Sequence, residues 1–206
     1  MGIASLPLEM QLILVPTILF ALTFHEYAHA RVAYHLGDYT SYYQNRMNLN
    51  PFNHLDPFGT FALYFLGFGW AKPVPVLMQN LKNPKNDMMM IAMAGPASNM
   101  FLAFVASIIY RLNFYFQFSE EVIFPLEIFI QINIVLAIFN LLPLNPLDGS
   151  RILPLIVKNP RTLYNIEVYG PRVLIGLIIL NLIGIPILST IIFTPVSIIF
   201  YFLTGA

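Results

Sequence analysis

The sequence has no cysteine and few charges: of 206 residues, 10% are Asp, Glu, Lys or Arg, while 58% are hydrophobic. The missing cysteines exclude disulfides, thiolate metal sites and cysteine nucleophiles together. Ordinary soluble domains carry roughly 25% charged residues. A globule of this length would need a polar shell that these residues cannot supply. A soluble enzyme is thereby excluded, and the composition predicts an α-helical polytopic membrane protein embedded in a lipid bilayer. Lys+Arg and Asp+Glu both number 10, so net charge gives no hint of a nucleic-acid partner, and none is expected. The first 24 residues hold no Lys or Arg. Without a basic n-region, their apolar run reads as a retained span rather than a cleaved signal.

What is present is a series of apolar runs. Met10–Phe24 flows into His25-Glu26-Tyr27-Ala28-His29-Ala30-Arg31 with no proline or glycine at the junction. This predicts one helix to about Leu36, with Gly37 as its C′ residue. Phe58–Ala71 is apolar but has only 14 residues, with Gly59, Gly67 and Gly69 among them. A crossing helix needs about 20 residues, so the stretch is expected to be a re-entrant or membrane-embedded β/loop element. Pro73 and Pro75 within Lys72-Pro73-Val74-Pro75-Val76 suit an edge strand and forbid a helix interior. Met88–Tyr110 is a charge-free span containing Gly95-Pro96-Ala97, and Val122–Leu142 is another, with Glu127, Gln131, Asn133 and Asn140 inside it. The tail from Val173 to Ala206 is expected to form a helical hairpin bent near Gly184-Ile185-Pro186. Altogether about five to six membrane segments are expected in a single domain, 1–206, with a core over about 8–158 and the hairpin over about 172–206.

Charge placement supplies an orientation. With the N-terminus outside and 58–71 not crossing, Arg31, Arg46, Lys72, Lys82, Lys85, Arg151, Lys158, Arg161 and Arg172 all fall on the cytoplasmic side. Arg111 alone falls outside. A crossing at 58–71 would move three lysines to the other side and weaken the bias.

His25, Glu26 and His29 sit at the cytoplasmic end of the first span, where ionisable groups cost several kcal/mol unless paired or in a wet cavity. Positions i and i+4 differ by about 6 Å in rise and about 40° in azimuth, so both imidazoles face one centre. Neutral imidazole is a good zinc ligand, and Glu26 lies beside the same centre as a candidate general base. Hydrogen-bonded structural histidines are the bland alternative, made less attractive by the His-Glu-x-x-His order. A catalytic zinc usually keeps three protein ligands and an open position. Asp38, Asp56, Asp87, Asp148, Glu127 and His54 are all eligible as the third. Asp148 follows a helix broken by Pro143 and Pro146, and such irregular backbone is tolerated at depth only inside protein or beside a cavity. Locally, a plain turn before Gly149 reads equally well. His54 reads either as lining the cytoplasmic mouth or, as a lone histidine in a polar loop, as simply solvated.

The segments HEYAH, Gly95-Pro96-Ala97-Ser98-Asn99 and Asn140-Leu141-Leu142-Pro143-Leu144-Asn145-Pro146-Leu147-Asp148-Gly149 together resemble the site-2 protease family of intramembrane zinc metalloproteases. Gly69–Val76 and Asn50–Pro57 resemble segments of its compact prokaryotic members. The resemblance implies one zinc ion bound by His25, His29 and Asp148, with Glu26 activating the water. Asn140 matches a position that holds the substrate or the developing oxyanion. It also implies a multi-pass protein of a prokaryotic cell membrane that cleaves transmembrane proteins near the cytoplasmic face. Many members carry an added sensory domain, and no soluble module fits here, so a regulatory partner protein is left open.

The expected chemistry is peptide hydrolysis, with zinc polarising the scissile carbonyl and Glu26 moving the proton. Lys72, Pro73, Val74, Pro75 and Val76 are candidate substrate-binding residues that would hold an unwound substrate by strand pairing. An extended loop merely capping the embedded segment is the equal alternative. Asn99 is grouped with them as a candidate contact; a hydrogen bond to a metal ligand or a helix–helix contact would explain it too. A divalent-metal transporter or channel is the rival function, with the same His, Asp and Glu residues as transit ligands.

Overall fold

A computed structural model describes residues 2–205 of the chain. Among these the helices are α1 (Leu8–His35), α2 (Thr40–Tyr43), α3 (Pro51–His54), α4 (Pro57–Leu66), α5 (Pro84–Phe116), α6 (Glu120–Asn140), α7 (Leu153–Ile156), α8 (Pro160–Leu182) and α9 (Ile187–Thr204). Among the described residues five helices, α1, α5, α6, α8 and α9, are long and apolar enough to cross a membrane, as a multi-pass membrane protein requires. No sheet forms among those residues. The only pairing is an isolated antiparallel bridge between Leu55 and Ala71.

α1 runs unbroken through the His-Glu-x-x-His segment and ends at Leu36, where Gly37 takes φ 103°. Only glycine adopts that left-handed conformation at little cost. The short apolar stretch after it is a hairpin, but not the β/loop element expected. Asp56 caps α4 by accepting the Gly59 N–H at 2.8 Å, Pro57 occupies the first turn, and Gly67 ends the helix at φ 80°. These signals suffice for ten residues of helix, a length that cannot span but can enter. The chain then returns beneath α4, so close that a Cβ on Gly69 would lie 2.1 Å from the Gly59 carbonyl oxygen. Ala71 bridges Leu55, and the Lys72 N–H donates to the His54 carbonyl at 2.8 Å. The excursion therefore leaves and re-enters at one point. Its tip reaches the N-terminal part of α1, where the Tyr64 hydroxyl donates to Gln11 Oε1 at 2.7 Å.

α5 packs against α1 and α6. It runs antiparallel to α1, since His25 meets Asn99 while His29, one turn later, meets Ile91. The apolar core joins Ala103 and Ala106 of α5, Ile130 and Ile134 of α6, and Leu188, Ile192 and Val196 of α9. Small residues on α5 let these helices approach closely. Arg111 donates from Nε and Nη2 to the carbonyls of Leu203 and Phe202 at 2.6 and 2.7 Å. Were α9 antiparallel to α5, Ile192 and Val196 would lie beyond the end of α5; their packing with Ala103 and Ala106 makes α9 parallel to it.

The tail from residue 172 comprises the second half of α8 and all of α9. The bend falls as expected, in the turn at 183–186. Counting back about 24 Å from the Arg111 contact, however, places the start of α9 level with Gly95. The middle of α8 meets the turn that precedes Asp148: Asn145 Nδ2 donates to the Glu167 carbonyl at 3.2 Å, and Gly170 lies against Asn145.

Candidate active site

α1 and α5 carry the two halves of the site, and the backbone after α6 closes it. His25 Nε2 lies 3.0 Å from His29 Nε2, and Asp148 Oδ2 lies 3.1 and 3.2 Å from the two. The other ring nitrogens are committed: His25 Nδ1 donates to Asn99 Oδ1 at 2.6 Å, and His29 Nδ1 donates to the Ile91 carbonyl at 2.7 Å. Asn99 is fixed with its oxygen towards His25, because its amide donates to the Ala21 carbonyl at 3.2 Å and to Asn133 Oδ1 at 2.9 Å. Pro96 lacks an N–H and disturbs the α5 ladder one turn earlier, in the stretch that offers the Ile91 carbonyl.

With both Nδ1 protons spent, neutral imidazoles leave two Nε2 lone pairs and a carboxylate oxygen pointing at one another. That arrangement is repulsive alone and fits a cation. Edges of a four-coordinate zinc site with bonds of about 2.0–2.1 Å are about 3.3 Å long, close to those seen. Gly95 supplies the room: a Cβ there would stand 2.4 Å from His29 Nε2 and 2.5 Å from His25 Nε2. The residues present therefore fit a zinc ion.

Asp148 is delivered by a turn in which the Leu147 N–H donates to the Leu144 carbonyl at 2.8 Å and the Ser150 N–H to the Leu147 carbonyl at 3.0 Å. Gly149 permits that turn to press on the end of α6, since a Cβ would come within 2.2 Å of the Leu141 carbonyl oxygen. The side chain of Asp148 is 22% exposed against 4% for His25 and 9% for His29, so the site opens on the Asp148 side.

The other candidates for a third ligand are engaged elsewhere. Asp38 binds Thr40, Leu77 and Asn80; Asp56 caps α4; Asp87 accepts the Asn83 N–H; Glu127 accepts the Tyr110 hydroxyl. His54 is 1% exposed, neither solvated nor lining a mouth, with Nε2 donating to the Asn48 carbonyl at 2.8 Å. Among the described residues, His25, His29 and Asp148 are the group that could hold a metal ion.

Glu26 is buried, and its Oε2 accepts the Val74 N–H at 2.9 Å. Lys72–Val76 has no regular secondary structure, a correction to the expected edge strand. Two prolines remove N–H donors, and side chains claim much of the remaining backbone. Arg46 Nη2 donates to the carbonyls of Lys72 and Pro73 at 2.7 and 3.4 Å, and Ser41 Oγ to that of Pro75 at 2.7 Å. Asn99 is fully buried behind His25, where its contacts join α1, α5 and α6 at once. Asn140 spends one amide N–H on the Leu136 carbonyl of its own helix at 2.9 Å. Sequence reasoning missed Arg46, an isolated basic residue in a polar loop without a local signal, and Gly95 as the floor of the site. Asn133 stood out only as a polar residue within a span.

The profile of Peptidase family M50 matches residues 117–182, which include Asn140 and Asp148. A Bacillus subtilis (strain 168) protein described as "Putative zinc metalloprotease YwhC" is 44% identical over 153 residues, covering 71% of this chain and 70% of that protein. No solved structure matches the chain.

Proposed function

Starting from the fact that this chain belongs to peptidase family M50 and is a zinc metalloprotease, we propose that it hydrolyses peptide bonds of transmembrane substrates inside the bilayer. The reaction takes place near the cytoplasmic face, with His25, His29 and Asp148 holding one zinc ion. The observation that carries this reading is the convergence of two Nε2 lone pairs and one carboxylate oxygen within 3.2 Å, at the end of an apolar helix. A metal transporter would want further ligands along a path, and the described residues offer this one group.

A zinc ion held by His25, His29 and Asp148 would lower the pKa of a water to about 7 and would polarise the scissile carbonyl. Glu26 takes a proton from the attacking water and passes it to the amine nitrogen as the C–N bond breaks. Because the Val74 N–H engages Oε2, Oε1 is the oxygen left for that proton. Asn140 retains a second amide N–H beyond the one given to Leu136, and this donates to the oxyanion.

Substrate is held extended along Lys72–Val76. In extended backbone a residue's N–H and C=O share one edge, and alternate residues share it too. On an extended path the Val74 carbonyl and Val76 N–H share the edge from which Val74 meets Glu26, and among the described residues neither has a hydrogen-bond partner. A substrate strand pairing there lies beside the base. The nine cytoplasmic basic residues set the orientation, with the N-terminus outside.

Purified protein cleaving a quenched-fluorescent transmembrane peptide, losing activity to a chelator and regaining it with zinc, is the expected result. Chelator-insensitive cleavage, or zinc flux into liposomes without cleavage, contradicts it.

A further inference from the structure

Arg46 is more than nine-tenths buried, a costly place for a guanidinium that makes no ion pair within 4.0 Å among the described residues. Burial pushes its pKa down and the Glu26 carboxylate opposes this, so the two charges sense each other without touching. The side chain is deliberately placed. Asn45 reverses the chain at φ 53°, the Arg46 N–H then donates to the Ser41 carbonyl at 2.8 Å, and Asn48 and Asn53 brace the Asn45 carbonyl. From there Nη2 fastens the Lys72 and Pro73 carbonyls, the two immediately before the Val74 N–H that meets Glu26.

No other backbone donor could replace that contact. Pro73 and Pro75 flank Val74, so Val74 carries the only amide N–H between Lys72 and Val76. The segment has no ladder to hold it, and its position depends on side chains reaching across from the loop after α1. We propose that Arg46 is a positioning residue for Glu26: by clasping the Lys72 and Pro73 carbonyls it holds the Val74 N–H on Oε2 and leaves Oε1 aimed for proton transfer. This rests on the reading of Glu26 as the base. It assigns the Lys72–Val74 backbone a second task besides meeting substrate.

The test uses the full, zinc-loaded chain in micelles and has two arms. Hydrogen–deuterium exchange of the 72–76 stretch reads the clasp without any substrate, because Val74 dominates the change there. Arg46→Met and Glu26→Ala should each speed exchange of the Val74 amide at least tenfold, and the double variant should exchange no faster than either. Arg46→Lys, which keeps the charge and one donor, should fall between. In the second arm, cleavage of a quenched-fluorescent transmembrane peptide by Arg46→Met should show kcat reduced at least tenfold, KM within twofold of wild type and zinc content unchanged.

Unchanged Val74 exchange in Arg46→Met overturns the proposal. So does a raised KM at normal kcat, which would make the clasp a substrate-holding device only, and so does loss of zinc, which would make Arg46 a general support. Should Glu26→Gln cleave normally, the base reading fails, while the exchange arm still decides whether Arg46 controls Val74.

Discussion

Gly95 on α5 lies so close to His29 on α1 that a Cβ would stand 2.4 Å from its Nε2 and 2.5 Å from that of His25. Alanine is the better helix former by about 1 kcal/mol, so Gly95→Ala should leave α5 intact or firmer. The methyl nevertheless presses on both Nε2 atoms that would hold the ion. The expected outcome is a folded protein with unchanged helical circular dichroism and zinc affinity lowered at least a hundredfold, measured by competition with a chromogenic chelator. Full zinc content in that variant contradicts the placement of the site.

The His25–Asn99–Asn133 chain predicts a graded effect. Asn99→Ala removes the acceptor that holds the Nδ1 proton and so lets the imidazole turn or change tautomer. Loss of such an outer partner typically costs 10–100-fold in metal affinity or activity, and that range is expected here. Asn133→Leu leaves the His25 contact in place and removes only the brace behind Asn99, so a smaller loss is expected from the same titration.

The parts of this architecture that were legible in the sequence are those set by local chemistry. Apolar length marked α1, α5 and α6, the i and i+4 spacing brought His25 and His29 together, and Gly37 ended α1 as its position suggested. Helix capping could also have been read: Asp56-Pro57 and Gly67 are start and stop signals, and they make α4 a helix where glycine content had suggested a β/loop element. Asp148 among several eligible acids is a different matter, because the others find partners only in three dimensions. The path of α8 was hidden for the same reason. Its composition suits a span, and only the contacts of Asn145 with Glu167 and Gly170 show where its middle sits. Arg46 acts at residues 72 and 73 through backbone carbonyls, which carry no side-chain signature.

Asp38 ties the end of α1 to the 77–80 stretch. Burial raises its carboxyl, but hydrogen bonds from Thr40, Asn80 and the Leu77 N–H outweigh this and hold it below the usual carboxylate range. A group depressed in the folded state stabilises at pH above its unfolded value, about 3.9. That contribution disappears as pH falls through the lower folded value. Asp38→Asn turns an amide donor towards one of these donors and should cost about 1–3 kcal/mol at neutral pH. Thermal unfolding in detergent should show the gap between wild type and variant shrinking below about pH 4.

Arg111 on the last carbonyls of α9 predicts membrane topology. The end of α9 shares a level with the end of α5 and, because α1 is antiparallel to α5, with the start of α1. Tags at the two ends of the chain should therefore be protected or modified together when one side of oriented vesicles is probed with an impermeant reagent. Tags on opposite sides would mean that α8 crosses as a full span.

The most direct measurement pairs metal content with turnover in Glu26→Gln. Glutamine keeps an oxygen for the Val74 N–H and leaves His25, His29 and Asp148 untouched, but it cannot take the proton. The account predicts one zinc per chain, as in wild type, with cleavage of the transmembrane peptide lowered by about 10²–10⁴-fold or more. Normal cleavage by a zinc-loaded Glu26→Gln protein would contradict it.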